Sequence, residues 1–336
     1  MSSLALRSGA LLACIIMGLP LGVAWAQEGP SAEDVVGAFE KLSGVHKGLR
    51  RNHAKGLCAS GEFQASEEAR KLSVSRLFSG QPVPVTARFS VAGPNPAIAD
   101  TFKNPRGMAL QFQLPGGALQ NMAMIHVPVF MAANVPDFFE RLQADLPDPA
   151  TGKRDPEKLK AYIAKHPDYK NWVDWFATHN PPSSYAETVY YSVHAFKFID
   201  SGKEAHWVKW RFEPRDGAKF LTDEEIAAAP KDFLAERLSE RLQKGPVLWD
   251  MIVILGEKDD PIDNPTLVWP ATRREIKAGT LTLTKAGAEA ASQCDDINFD
   301  PNLVSAGIET SPDPILAFRS SAYAVSYGKR LDEKAN

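Results

Sequence analysis

Arg319 and Tyr323 stand four residues apart in the run Pro312-Asp-Pro-Ile-Leu-Ala-Phe-Arg-Ser-Ser-Ala-Tyr323, which meets no further Gly or Pro until Gly328. Apolar residues at Ile315, Leu316, Phe318, Tyr323 and Val325 predict a short, mostly buried helix there. Residues i and i+4 share one face of a helix, so the guanidinium and the phenol can touch. A neighbouring positive charge favours the charged form of an oxygen acid, and a buried phenolate is a competent metal ligand. The same spacing also describes an ordinary surface pair, and the pair alone does not separate the two readings. A second chemical group, His53, lies in Arg50-Arg-Asn-His-Ala-Lys-Gly56, where glycine and small residues suggest a strand passing close to something bulky.

Groups so far apart in sequence need a framework to bring them together. Ser31 is a natural N-cap for an amphipathic helix carrying Val35, Val36, Phe39 and Leu42, and a second helix is expected over 66–78. Alternating apolar runs bounded by Gly, Pro and Asn predict strands at 85–91, 108–114, 122–131, 188–198, 206–212, 247–255, 266–269 and 279–284. Helices are expected from Pro136, over 156–176, and from the Thr222/Glu225 capping box to about residue 244. This pattern predicts an α+β fold, a closed antiparallel eight-stranded β-barrel with helical insertions. No repeat, low-complexity tract or linker divides the chain, so 27–336 reads as a single domain.

Arg7, an apolar stretch over 10–23 and Ala24-Trp-Ala26 read as a signal peptide over 1–26, cut after Ala26. The chain is therefore expected to cross the inner membrane and reside in the periplasm, with no membrane anchor, since no later run has the length of a span. A net charge of −3 gives no electrostatic case for nucleic acid or an anionic membrane surface. After processing, Cys58 and Cys294 remain; they either pair or stay two buried thiols.

Two stretches resemble the haem catalase family. Arg50-Arg-Asn-His53-Ala-Lys-Gly56 is similar to its distal-histidine segment, and 298–323, ending in Arg319-Ser-Ser-Ala-Tyr323, to its proximal segment. Arg88-Phe-Ser90, 99–107, 193–197 and 208–212 continue the likeness in the same order, over about residues 35–327. The chain is expected to lack the family's long N-terminal arm, wrapping segment and C-terminal extension, and so resembles the minimal catalases, or catalase-related peroxidases. It departs from the family at Met124-Ile125-His126-Val127-Pro128, where Ile125 stands in place of the distal asparagine, and at Val135 and Ala324-Val325.

The resemblance implies haem b (iron protoporphyrin IX) bound through Tyr323 as phenolate, with Arg319 stabilising the ionised oxygen. It implies His53 as distal acid–base and Ser90 as the hydroxyl that orients its ring. Arg50 and Arg88 would pair with the haem propionates, a surface cation being the alternative for each, and Arg51 is expected to be solvated. Phe130 and Phe138 would line the haem pocket or serve as plain core. Alternation puts Ile125 and His126 on opposite faces, so only one can face the haem; an outward, satisfied His126 is favoured over a substitute distal donor. His46, His166, His179, His194 and His206 show no metal-ligand spacing and are given no role.

The function implied is a haem-dependent peroxidase, reducing hydrogen peroxide or organic peroxides with small organic donors through a two-electron-oxidised haem, in a chain that self-associates as a homodimer. A true catalase is the alternative. A barrel that carries haem or a lipophile without turnover is a third reading, disfavoured because carriage needs no distal acid–base.

Overall fold

The side chain of Ser31 accepts from the Asp34 backbone N–H at 3.1 Å, and the Asp34 carboxylate accepts from Ser31 N at 2.9 Å. This reciprocal cap starts α1 (Ala32–Ser43) in the computed structural model, which describes residues 29–289 and 292–335. The signal peptide read over 1–26 lies outside the described residues.

The strands are β1 (Lys55–Ala65), β2 (Val83–Val91), β3 (Arg106–Gln113), β4 (Leu119–Ile125), β5 (Tyr190–Tyr191), β6 (Phe196–Ile199), β7 (Ala205–Pro214), β8 (Val247–Leu255), β9 (Glu275–Ala288) and β10 (Ile308–Thr310). Every ladder is antiparallel, and a β7–β8 pairing (Phe212 opposite Met251) closes the sheet on itself. Among the described residues β1, β2, β3, β4, β5, β7, β8 and β9 form this eight-stranded barrel, while β6 and β10 extend it at one edge. Closure pairs every barrel strand on both sides and leaves no open edge. Phe63, Phe89, Phe112, Phe212 and Trp249 point inward and are fully buried. Each contributes about 1.5–3 kcal/mol or more through apolar area removed from water.

The helices are α2 (Glu67–Leu72), α3 (Val135–Ala144), α4 (Pro156–Lys165), α5 (Lys170–Thr178), α6 (Asp223–Ala228), α7 (Phe233–Gln243) and α8 (Pro314–Ala335). α1, α3 and α8 pack against one another, joined by Val35, Phe39, Phe138, Leu142 and Phe318.

Several expectations are corrected. The segment 266–269 is a loop: Pro265 and Pro270 bracket it, and proline has no N–H for a ladder. The eighth barrel position belongs instead to β1. The strand expected over 188–198 is broken into β5 and β6 by Val193, whose φ of 51° no strand tolerates. The helix expected over 222–244 is divided into α6 and α7, with Pro230 between them. The helix expected over 66–78 ends at Leu72, with a single 3-10 turn at Arg76–Phe78. The helix carrying Arg319 is not short: α8 runs 22 residues, straight through Gly328.

Cys58 on β1 and Cys294 form a disulfide with Cα atoms 5.9 Å apart. It closes a loop of 236 residues, so replacing both cysteines with Ser should cost about 2–5 kcal/mol, read as a lower midpoint in denaturant. An unchanged midpoint would show that the bridge does not constrain the unfolded chain.

Candidate active site

Strand alternation decides which residues of β2 leave the barrel. Ala87, Phe89 and Val91 enter the core, so Arg88 and Ser90 project from the outer face. Gly107 and Ala109 of β3 and Ala123 and Ile125 of β4 share that outer face. Between it and α1, α3 and α8 lies a cavity that opens to solvent. His53, Ser90, Arg50, Arg88, Phe130, Phe138, Arg319 and Tyr323 all line it.

Tyr323 and Arg319 make the contact their spacing suggests: Arg319 Nη2 donates to the Tyr323 hydroxyl at 2.7 Å. Asp313 fixes the start of α8. Its Oδ1 accepts from the backbone N–H groups of Ile315 (2.8 Å) and Leu316 (3.2 Å), and its Oδ2 meets His194 Nδ1 at 2.7 Å. Both members of that contact are essentially inaccessible to solvent. Burial lowers the pKa of His194, with Asp313 opposing that shift and the charge of Arg319 adding to it. His194 was given no role from sequence; it anchors the helix that carries Arg319 and Tyr323. The signal available was an Asp at a helix N-cap between two prolines.

His53 is held from several directions in a left-handed conformation, φ 54°. Its N–H donates to Asn52 Oδ1 (2.9 Å), its carbonyl accepts from Arg88 Nη2 (2.8 Å), and its Nδ1 meets Ser90 Oγ at 2.8 Å. Gly107 lets the ring approach: a Cβ there would lie 2.7 Å from Ser90 Oγ and 3.0 Å from His53 Nδ1. With Nδ1 engaged by Ser90, Nε2 is the nitrogen left for a substrate. Burial, reinforced by the like charges of Arg88, Arg319 and Arg50, pushes the imidazole pKa down to about 3. His53 and Val193 are non-glycine residues with positive φ, and both line the cavity, as expected where packing imposes a functional geometry.

At position 125 the cavity wall is Ile125, whereas His126 turns away. It is buried against Trp175 and Phe176, and its Nδ1 accepts from Arg106 N at 3.0 Å. Phe130 and Phe138 pack with ring centroids 5.3 Å apart and serve the wall and the helical layer together. Arg51 is not solvated. It is 4% exposed, donates to Glu40 at 2.7 Å and pairs with Glu333, because it lies where α1 and α8 meet and both offer a carboxylate.

One end of the cavity is strongly basic. Arg88 is buried against Glu289, and Arg50 donates to the same carboxylate at 3.2 Å. Burial and the like charges of Arg88 and Arg330 push Arg50 down to about 10. Arg330, which sequence reasoning missed, also lines this end, and its buried Nη2 has no hydrogen-bond partner.

These residues fit a haem. The phenol oxygen beside a guanidinium is a donor that would suit a ferric iron. Gly107, Ala109 and Ala123 leave the sheet face low enough for a flat ring, and the orphaned Arg330 nitrogen beside two further arginines suits acidic groups on its edge.

A barrel with a helical layer, an Arg–Tyr pair on the last helix and a hydroxyl-held histidine lining the same cavity is a defined class of oxidoreductase scaffold. The family model "Catalase" matches residues 43–336, and the chain belongs to that family. It is 50% identical over 308 residues to the "Catalase-related peroxidase" of Synechococcus elongatus, covering 92% of this chain and 91% of that protein. To the "Catalase-related peroxidase" of Mycolicibacterium paratuberculosis it is 32% identical over 300 residues, covering 89% and 94%. Catalase A from Saccharomyces cerevisiae shares the fold with a TM-score of 0.77 and 24% identity, over 84% of this chain and 61% of that one. A bacterial catalase structure gives 0.77 and 23%, over 94% and 64%, so this chain spans less than two thirds of those solved catalases. Among the described residues no helix is long and apolar enough to cross a membrane.

Proposed function

We propose that this chain is a haem b-dependent peroxidase that reduces hydrogen peroxide or organic hydroperoxides at the expense of small organic donors. The observation that carries this reading is the opening of His53, held by Ser90, and Tyr323, held by Arg319, onto one cavity. Tyr323 would hold the iron, and Arg50, Arg88 and Arg330 the propionates. Haem, when bound, supplies the two-electron redox chemistry that side chains lack.

The chain's own residues handle the proton. His53 is neutral at ordinary pH, so Nε2 takes a proton from a hydroperoxide and returns it to the departing oxygen. Ser90 fixes the tautomer and ring orientation that make this transfer repeatable. Val35, Phe39, Met124 and Ile125 make that part of the wall apolar and exclude water from the reacting group. Ile125 offers no hydrogen bond to a second hydrogen peroxide, so positioning for dismutation is weakened while an alkyl group is accommodated.

The assay compares oxygen evolution from hydrogen peroxide with peroxide-dependent oxidation of a phenolic donor. Donor oxidation should dominate; vigorous oxygen release would favour a true catalase instead. The reading also takes the working form to be residues 27–336, exported to the periplasm as a homodimer. An N-terminus at Gln27 and the elution volume of a dimer would support it, and an intact Met1 would oppose it.

A further inference from the structure

Glu289, the residue immediately after β9, is the carboxylate among the three cavity arginines. Its Oε1 accepts from Arg88 Nε at 2.6 Å and from Arg50 Nε at 3.2 Å, and its Oε2 from Arg88 Nη2 at 2.7 Å. Burial opposes its ionisation, but Arg88 and Arg50 outweigh that and hold its carboxyl below the ordinary range. Arg330 Nη1 is committed to Asp295.

The backbone is shaped around this arrangement. A Cβ at Gly56 would lie 2.2 Å from Arg88 Nη2 and 2.6 Å from Glu289 Oε2, so β1 is cut away to admit the pair. Arg50 is held from a second side as well: its guanidinium donates to the carbonyls of Cys294 (2.8 Å) and Ile297 (3.1 Å), in a loop tied to β1 by the Cys58 bridge.

Asp295 is shared by Arg330 and Lys334, so the competition at this corner is over hydrogen-bond donors. Glu289 takes the Nε of both Arg50 and Arg88 and the Nη2 of Arg88, the N–H groups through which these two forks would grip a ligand carboxylate. An acidic ligand can use those donors only where Glu289 gives them up.

We propose that Glu289 is an internal stand-in for a ligand carboxylate: it holds Arg50 and Arg88 in position and is displaced when the acidic edge of the cofactor arrives. The proposal rests on the haem reading above. Glu289 acts through the arginines, as a positioning residue that also competes with loading. A binding-competent state that must first expel a side chain binds with an affinity reduced by the fraction of chains in that state.

The test uses the mature chain and its Glu289→Gln variant, which keeps the shape and removes the charge. Haem titration followed at the Soret band should show about tenfold tighter binding to the variant. The thermal midpoint of the haem-free variant should fall, because its arginines lose their counter-charge. Equal or weaker haem binding by the variant overturns the proposal. Should the variant fail to fold, a structure of the haem-loaded natural chain decides: Glu289 more than about 4 Å from both guanidinium groups supports displacement, and a retained ion pair overturns it. A natural chain that takes up no haem overturns the haem reading and this proposal together. A natural chain that binds haem no less tightly than the variant overturns this proposal alone.

Discussion

Tyr323→Phe should abolish ferric haem binding, or weaken it by at least about a hundredfold, since a structural metal–ligand bond is worth many multiples of a hydrogen bond. The substitution removes one oxygen and little else. The ring would still pack against the cluster of Cys58, Cys294 and Phe299, so helix α8 and the cavity should survive. Far-ultraviolet circular dichroism should therefore match the parent while the Soret band is lost. Arg319 would lose the acceptor it now reaches at 2.7 Å and be left with an uncompensated, part-buried cation. A variant with an unchanged haem spectrum would remove Tyr323 as the ligand, and with it the proximal half of the site.

His53→Ala should behave in the opposite way, retaining haem while slowing the reaction with peroxide by about a hundredfold or more, the usual worth of a positioned acid–base. Stopped-flow absorbance after peroxide mixing measures the rate directly, and an unaffected rate would deny His53 the proton-transfer role. The pH dependence follows from a folded-state pKa of about 3 against an ordinary 6.5. The ring is neutral and competent throughout pH 5–8, so the natural chain's rate should be flat there and fall only as the pH approaches 3. Stability has the matching sign: between pH 6.5 and 3 the unfolded chain takes up a proton that the folded one refuses, so His53 destabilises the fold progressively as the pH drops through that window. His53→Ala should flatten that part of the stability profile. The variant carries its own cost, since a φ of 54° strains any residue with a Cβ, and an Ala there gains no compensating bond to Ser90.

Taken together, the two substitutions divide the cavity into a side that holds and a side that moves a proton. Removing Tyr323 leaves nothing for His53 to act upon; removing His53 leaves a loaded but slow protein. The disulfide and Glu289 act one layer further out, through the arginines and the loop at 294–297 that aims Arg50.

Much of this was legible in the amino-acid order wherever the physics is local. Helical spacing places Arg319 beside Tyr323, the Ser31 and Thr222 capping boxes start their helices, and alternation puts Ile125 and His126 on opposite faces. Motif order brought His53 and Ser90 into one reading although 37 residues separate them. What the tertiary structure alone decided are contacts between remote segments: His194 with Asp313 at 119 residues, Arg88 with Glu289 at 201, and Cys58 with Cys294 at 236. The misplacement of Arg51 in solvent has the same origin, because its carboxylates come from α1 and α8. Periodicity reports which face of an element is apolar, but barrel closure and the laying of three helices across its outer face decide which charged groups meet there. That step depends on how every element packs at once, and no single stretch of chain encodes it.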